Sequence, residues 1–320
     1  MCGIIGYIGN RENVGDILIE GLKRLEYRGY DSAGIAVIRD GEMVWEKTPG
    51  KIAQLEEQLE GMDLSGSLGI AHTRWATHGE PNRVNAHPHF NADRTIALVH
   101  NGIIENYQTL KKTLEQEGYV FTTDTDTETL THLIDKFHDG RKLEDAVQRA
   151  LRMVEGTYGV LVVSTREPGK LVGARNGSPL VVGVGEGEYV VASDVAAILQ
   201  HTRQVIYLED QQMIVATQDG FTTMTIDNEY IEHDIHEVDW DLEMIEKGGF
   251  EHFMLKEIFE QPETIRNAMR GRLIPQTGHA RLGGITLSQE ELRRMERIVL
   301  IGCGTSWHAC LLYTSPSPRD

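Results

Sequence analysis

The first six residues, Met1-Cys2-Gly3-Ile4-Ile5-Gly6, constrain the fold of this chain more than any other stretch. Isoleucines at 4, 5 and 8 lie among glycines at 3, 6 and 9, which predicts a short buried strand at the start of the fold. Once the initiator methionine is removed, Cys2 carries both a thiol and a free α-amino group. An α-amino group titrates near about pH 7.7–8, so it can act as the base for its own thiol. The alternative is a frayed terminus with an unimportant cysteine.

The length, net charge and cysteine content of the chain argue against several classes of protein. The chain has 320 residues, which predicts one large domain or two ordinary ones. Its net charge of −18, from 31 basic and 49 acidic residues, argues against binding to nucleic acid or to an anionic membrane. The sequence has no apolar run that could span a bilayer and no signal-peptide pattern, so a cytoplasmic location is predicted. Cys2, Cys303 and Cys310 lack C-x-x-C spacing, which argues against a disulfide framework or a cysteine zinc site.

The order of hydrophobic periodicities predicts an α+β fold. Asp40-Gly41 between two apolar runs predicts a hairpin. Helices are predicted behind an Asn13 cap, around 52–59, and over 107–117, 128–137 and 143–154. Strands are predicted to end at 72–74 and 100–102, and short strands return over 159–226. Strands first, helices next and strands again indicate sheets covered by helices in a layered α+β domain.

The composition changes near residues 237–241. The stretch from Phe253 to Arg272 has helical periodicity, and Pro262 is expected to start a second helix there. A buried-type strand then runs into Cys303, Gly304, Thr305 and Ser306, a small hydroxyl-rich turn of the kind that binds phosphate at the carboxyl ends of strands in α/β sheets. We expect this second domain to be incomplete, and the tail 311–320, with Pro316 and Pro318, to be foreign to it.

Two polar segments follow predicted strands. In the segment His72–Asn82, Arg74 offers a planar fork suited to a carboxylate, and Trp75 could belong to a lid that excludes water. The alternative is a surface loop whose arginine forms a salt bridge. Asn101 and Gly102 could hold an oxyanion with an amide and a main-chain N–H group. The alternative there is a common Asn-Gly turn.

A third segment, Thr125-Asp126-Thr127-Glu128, precedes a predicted helix. Thr125 and Glu128 fit a capping box, which needs no function to explain it. The functional interpretation has Asp126 pair with a substrate ammonium group. Histidines at 72, 78, 87, 89 and 100 are close in sequence, but they lack metal-ligand spacing, so no metal is predicted.

The motifs in this order resemble those of the glutamine–fructose-6-phosphate aminotransferase family, in its glutaminase half. They are Cys2-Gly3-Ile4, the segment 27–34 (YRGYDSAG), the segment 72–79 (HTRWATHG), His100-Asn101-Gly102 and Thr125-Asp126-Thr127-Glu128. The resemblance extends from Met1 to about Ala309.

The resemblance implies a fold and a domain organisation. Residues 1–240 would form an N-terminal nucleophile (Ntn) hydrolase domain, a four-layer α-β-β-α sandwich. Residues 241–310 would be a linker and the incomplete start of an α/β sugar isomerase (SIS-type) domain, before the foreign tail at 311–320.

The resemblance also implies roles for individual residues. Cys2 would attack the side-chain amide of L-glutamine and release ammonia, leaving a thioester that water cleaves, with Asn101 and Gly102 as the oxyanion hole. The residues that would bind glutamine are Arg74, Thr77 and His78 for the carboxylate, Asp126 for the ammonium, Trp75 in the closing loop, and Arg28 near the nucleophile. No cofactor is implied.

In the whole family protein, the ammonia would pass to fructose 6-phosphate and give glucosamine 6-phosphate. The turn Cys303-Gly304-Thr305-Ser306 would contact the sugar phosphate, and the full-length protein would be a homodimer. Because the chain ends before the later family motifs, we expect it to hydrolyse glutamine without making the amino sugar.

Two other functions remain open at this point. A different class II amidotransferase is the first, although neither an S-G-G-x-D-S loop nor an acidic diphosphate-binding run is present. A non-catalytic sugar-phosphate-binding protein is the second, and it would leave Cys2 and Asn101 without a role.

Overall fold

The computed structural model describes residues 2–75, 79–238, 250–269, 273–274, 279–280 and 288–297. The chain divides into two compact units, residues 1–248 and 249–320. The predicted boundary near residue 240 and the predicted nature of the second unit stay predictions. The turn 303–306 and the tail 311–320 lie outside the described residues.

The first unit contains an eight-stranded antiparallel sheet in which the first strand, β1, is central. The strands in spatial order are β14 (His236–Glu237), β11 (Gln204–Tyr207), β9 (Val181–Val184), β10 (Glu188–Ala192), β1 (Gly3–Gly9), β4 (Leu68–Arg74), β2 (Ser32–Arg39) and β3 (Glu42–Pro49). Each strand pairs antiparallel with its neighbours. The predicted strand at the N-terminus is therefore confirmed, and it lies in the interior of the sheet.

A second sheet of six strands is also antiparallel. Its strands in spatial order are β13 (Gly220–Thr225), β12 (Gln212–Thr217), β8 (Leu171–Asn176), β7 (Gly156–Ser164), β6 (Ile96–Ile104) and β5 (His89–Phe90). The predicted return of short strands after the helices is confirmed.

Helices cover the outer face of each sheet. Helices α1 (Val14–Leu25) and α2 (Ile52–Leu59) share a buried core with the first sheet, in which Leu18 and Leu22 lie with Ile5. Helices α3 (Tyr107–Gln116), α4 (Asp126–His138) and α5 (Leu143–Leu151) share a core with the second sheet.

The two sheets pack face to face through a third core. Along β1, Ile5 and Tyr7 belong to the helix-covered core, while Ile4 and Ile8 belong to the core between the sheets. This alternation is the period of two expected of a strand buried on both faces. Each such fully buried isoleucine contributes about 1.5–3 kcal/mol. The layers are thus helix, sheet, sheet and helix, which confirms the predicted four-layer α+β sandwich.

Two local predictions in this unit have mixed outcomes. The Asp40-Gly41 hairpin is confirmed, with positive φ at both residues (50° and 80°) between β2 and β3. The Asn-Gly turn considered at 101–102 is wrong, because both residues lie inside β6 and pair with Gly159 and Tyr158 of β7. Pairing across more than fifty residues overrides the local turn preference.

The second unit contains a helix, a short hairpin and a one-turn helix. Helix α6 (Phe253–Met269) continues through Pro262, so the prediction that this proline starts a second helix is wrong. A proline inside a helix removes one main-chain hydrogen bond, and the strong helix formers on both sides continue the helix across it. Leu273–Ile274 pairs with His279–Ala280, and Ser288 caps α7 (Gln289–Arg293). Among the described helices, none is long and apolar enough to cross a lipid bilayer.

Candidate active site

The start of β1 and the end of β4 bring Cys2 beside Trp75. Gly3 pairs with Thr73 across the two strands, so the residue before β1 and the residue after β4 meet at one end of these strands. The Trp75 N–H group donates to the Cys2 Sγ atom at 3.1 Å, and the thiol faces the Trp75 carbonyl oxygen at 3.4 Å. Burial raises the pKa of the Cys2 thiol, and the Trp75 N–H group and the positive charge of Arg74 offset this only in part. A thiol of this kind needs a base to become a nucleophile.

Asn101 reaches Cys2 from the second sheet. Its Nδ2 group donates to the Cys2 carbonyl oxygen at 3.0 Å, and its Oδ1 atom lies 3.0 Å from His72 Nε2. The neighbouring Gly102 has φ = +130°, and a Cβ atom there would come within 2.1 Å of the Thr157 carbonyl oxygen. Only glycine fits this backbone. An amide donor therefore contacts the main chain of Cys2, and the residue that follows Asn101 must be glycine.

Asp126 is the first residue of α4, where a helix N-terminus favours negative charge. Its Oδ2 atom accepts a hydrogen bond from the Ile104 N–H group at 2.8 Å, which ties α4 to the end of β6. Thr125 caps the helix by accepting from the Glu128 N–H group. The predicted capping box is only half formed, because the Glu128 carboxylate instead accepts from the N–H groups of Thr122 and Thr123.

A cavity of about 320 Å³ joins these groups. It is lined by seven of the residues predicted from the sequence, Cys2, Arg28, Arg74, Trp75, Asn101, Gly102 and Asp126, and by eight others, His87, His100, Ile103, Thr125, Thr127, Thr157, Ser178 and Pro179. Its volume is at the lower end of the range of about 300–1,000 Å³ for small-molecule sites. A buried arginine and a buried aspartate on one small cavity suit a free amino acid, which carries both charges.

The remaining predicted residues have different surroundings. Arg28 donates to the Ser193 carbonyl oxygen at 2.9 Å and pairs with Asp194 at 3.2 Å, so the two residues that follow β10 hold it at the cavity wall. The Trp75 side chain is 48% exposed and meets the Tyr30 ring edge-on at 5.8 Å. Thr77 and His78, and the turn Cys303-Gly304-Thr305-Ser306, lie outside the described residues.

A cluster of buried histidines lies beside the cavity, which His87 and His100 line, and the sequence did not predict the role of this cluster. His72 and His87 stack at 4.2 Å, and His87 and His100 both lie within hydrogen-bond distance of the Thr127 hydroxyl. Within the described part of the chain, no group of three or more His, Cys, Asp or Glu side chains is placed to hold a metal ion. The sequence shows that these histidines are close together along the chain. It does not show their hydrogen bonds, because these depend on the packing of β4 against β6 and α4.

Comparison with known proteins identifies the domain that carries this cavity. Residues 72–200 match the family described as glutamine amidotransferase domain. Residues 72–200 thus belong to a glutamine amidotransferase domain. The chain is 56% identical over 318 residues to glutamine–fructose-6-phosphate aminotransferase [isomerizing] of Chlorobaculum tepidum, covering 98% of this chain and 52% of the relative. The same enzyme of Methanothermobacter thermautotrophicus is 48% identical over 314 residues, covering 98% and 51%. The chain thus spans about half the length of these relatives.

Solved structures agree with the fold of this amidotransferase domain. Glutamine phosphoribosylpyrophosphate amidotransferase of B. subtilis superposes with a TM-score of 0.62 at 30% identity, covering 70% of this chain and 49% of that chain. A glutamine aminotransferase class-II domain protein of Silicibacter pomeroyi has a TM-score of 0.50 at 18% identity, covering 70% and 99%, and this likeness concerns the fold alone. The predicted Ntn-hydrolase fold of class II amidotransferases is confirmed.

Proposed function

We propose that this amidotransferase domain hydrolyses L-glutamine to glutamate and ammonia, with Cys2 as the nucleophile. The observation that carries the proposal is the single cavity shared by the Cys2 thiol, the Asn101 amide, the Arg74 guanidinium and the Asp126 carboxylate. Arg74 suits the α-carboxylate of glutamine, and Asp126 suits its α-ammonium group. The side-chain amide of the substrate then points towards the thiol.

The chemistry requires that Met1 has been removed. The free α-amino group of Cys2 takes the thiol proton, and Sγ attacks the side-chain carbonyl carbon of glutamine. The N–H groups of Asn101 and Gly102 stabilise the oxyanion. The intermediate collapses, the C–N bond breaks, and the proton on the α-amino group leaves with ammonia. Water attacks the thioester, one of its protons returns to sulfur through the α-amino group, and glutamate is released.

The relatives' names support a proposal for the whole protein. We propose that the ammonia is transferred to fructose 6-phosphate, giving glucosamine 6-phosphate, in a cytoplasmic enzyme that is a homodimer when full length. Identities of 56% and 48% to proteins named for this acceptor, against 30% to a phosphoribosylpyrophosphate amidotransferase, support the hexose phosphate over the alternative. In this proposal Trp75, Thr77 and His78 complete the glutamine site, and the turn 303–306 contacts the sugar phosphate.

Intact mass measured before and after treatment with an electrophilic glutamine analogue tests the first proposal. We expect the mass of Met1 to be absent and a single adduct to form, which glutamine prevents. The Cys2→Ala variant, the matched control, should form no adduct and release no ammonia from glutamine. A processed chain that forms no adduct and releases no ammonia would contradict the assignment of the nucleophile.

A further inference from the structure

The orientation of the Asn101 amide decides whether Asn101 can stabilise an oxyanion. A carboxamide has a donor and an acceptor end of almost the same shape, and its neighbours decide which end points where. With Nδ2 next to the nucleophile, Asn101 donates to developing negative charge. With Oδ1 there, it would repel that charge. The group that fixes this choice is therefore as important for the reaction as the amide itself.

The His72 ring fixes the choice through its Nε2 atom. This nitrogen lies 3.2 Å from the His100 carbonyl oxygen and 3.0 Å from Asn101 Oδ1. A main-chain carbonyl can only accept a hydrogen bond, so Nε2 must carry the proton. An N–H group facing Asn101 can bind only the amide oxygen. The Nδ2 group must then point the other way, where it meets the Cys2 carbonyl oxygen at 3.0 Å.

The surroundings of His72 maintain this tautomer. The side chain is fully buried, and burial lowers its pKa to about 3, so the ring is neutral and carries one N–H group. The Nδ1 atom has no hydrogen-bond partner, so moving the proton there would lose two hydrogen bonds and gain none. His87 stacks on the ring at 4.2 Å, and the Thr127 hydroxyl of α4 lies 3.1 Å from His87 Nε2.

We propose that His72 is a positioning residue for glutamine hydrolysis, whose Nε2–H group holds the Asn101 amide with its donor end towards Cys2. The inference rests on the proposed function, because it assumes that Asn101 stabilises the oxyanion. His72 does not itself line the cavity, and among the described residues the only side chain within hydrogen-bond distance of its Nε2–H group is that of Asn101. Its loss should therefore lower kcat and leave the binding of glutamine by Arg74 and Asp126 nearly intact.

Two substitutions at position 72 distinguish the effect of losing the N–H donor from the effect of changing the volume of the side chain. His72→Leu fills the space without a donor, whereas His72→Gln places an amide N–H close to the position of Nε2. We expect His72→Leu to lower kcat by at least about tenfold, short of the about 100-fold to 1,000-fold typical for loss of an oxyanion donor itself. The KM for glutamine should change by less than about threefold, and His72→Gln should recover most of kcat. Equal losses in the Leu and Gln variants would overturn the proposal.

A double-mutant cycle distinguishes this inference from the proposed function. Asn101→Ala should be strongly impaired, and adding His72→Leu to it should cost nothing further, because the two residues act as one unit. If Asn101→Ala is fully active, the proposed oxyanion role fails. If Asn101→Ala is impaired and His72→Leu is not, or if the two losses multiply, only the inference fails.

Two further measurements guard against a merely structural effect. His201→Leu removes another nearly buried histidine, which contacts Gln200 and Glu188 outside the cavity, and it should leave kcat unchanged. Nitrogen NMR of the wild-type protein should find the His72 proton on Nε2 and Nδ1 bare. This measurement uses only the wild-type protein, so it does not depend on whether a variant folds. A proton on Nδ1 would refute the proposal by itself.

Discussion

At the residue scale, the surroundings of Cys2 disfavour the thiolate, so the thiol is not made nucleophilic by a lowered pKa. Cys2 is half-buried, and burial raises the pKa of its thiol despite the nearby Trp75 N–H group and Arg74. At neutral pH the sulfur is therefore protonated and must be activated by a base within the site. In our proposal the α-amino group of Cys2, free once Met1 is removed, is that base, because α-amino groups ordinarily titrate near about pH 7.7–8.

The pH dependence of glutamine hydrolysis should follow that amino group. Below about pH 7.7–8, where α-amino groups ordinarily titrate, such a group is protonated and cannot accept the thiol proton, so kcat/KM should fall by up to about tenfold per pH unit. Steady-state ammonia release measured across this range checks the slope. Unfolding monitored over the same range is the control for acid instability. A rate that stays constant well below that range would argue against the amino group as the base.

Gly102 permits a second residue-scale prediction. In Gly102→Ala the new Cβ atom would meet the Thr157 carbonyl oxygen at 2.1 Å, and φ = +130° strains any side chain. We expect kcat to fall by at least about tenfold and the free energy of unfolding to fall by about 1–3 kcal/mol. Gly118→Ala is the matched control, because Gly118 also has positive φ (+96°) but has no atom within 4 Å of its Cβ position.

Activity and urea unfolding of both variants separate backbone strain from the clash. Gly118→Ala should lose some stability and keep its activity. If Gly102→Ala behaves in the same way as Gly118→Ala, the close approach of β7 to this glycine has no role in the site.

At the scale of elements, one carboxylate holds the loop that leads into α4. Glu128 accepts hydrogen bonds from the N–H groups of Thr122 and Thr123 and from both of their hydroxyls. Burial alone would raise the pKa of the Glu128 carboxyl, but the His132 ring at 3.7 Å and these donors outweigh burial and lower the pKa to about 2. The position of Asp126 at the helix start depends on this loop.

The lowered pKa of Glu128 predicts a loss of stability in acid. Because the folded pKa of about 2 lies below the ordinary 4.5, the carboxylate stabilises the fold above the ordinary value, and the stabilisation disappears as the pH falls towards about 2. The shift corresponds to at most about 3 kcal/mol. Glu128→Gln should therefore have a lower free energy of unfolding than wild type near neutral pH. This difference in free energy, the gap, should become smaller in acid.

Urea unfolding at several pH values measures that gap. Glu117→Gln is the control, because Glu117 pairs with Lys136 at the surface and such pairs contribute about 1 kcal/mol or less. A gap that is the same at every pH would show that the Glu128 carboxylate does not carry the effect.

Elements with local signals were predictable from the sequence, and long-range arrangements were not. The Asp40-Gly41 turn and the apolar stripe of α1 are encoded by neighbouring residues, so they were predicted correctly. Asn101 lies in a strand and not in a turn because it pairs with Gly159, and the orientation of its amide depends on His72. The shared cavity was suggested by resemblance to a family, because spacing alone does not bring Cys2 to Asn101.

At the scale of the whole molecule, the described residues that line the cavity all lie between Cys2 and Pro179, within the first compact unit. That unit also has its own three buried cores. We therefore expect a chain of residues 1–248 to fold alone and to release ammonia from glutamine with kcat/KM within about threefold of the 320-residue chain. Ammonia release and a single cooperative unfolding transition check this. An inactive but folded fragment would show that the site needs residues beyond 248.

The hairpin between β2 and β3 has a practical consequence for protein engineering. Ser32 pairs with Arg74 near the cavity, whereas Ile38 pairs with Leu68, so the Asp40-Gly41 tip lies towards the opposite end of the sheet, about 20 Å away. A Cβ atom at Gly41 would have no neighbour within 4 Å. An affinity tag fused ahead of Cys2 would block the α-amino group, whereas one inserted at this tip would leave it free. If Cys2 is the nucleophile as proposed, the hairpin tip is thus a suitable point for attaching labels or purification handles, because the α-amino group of Cys2 stays unmodified.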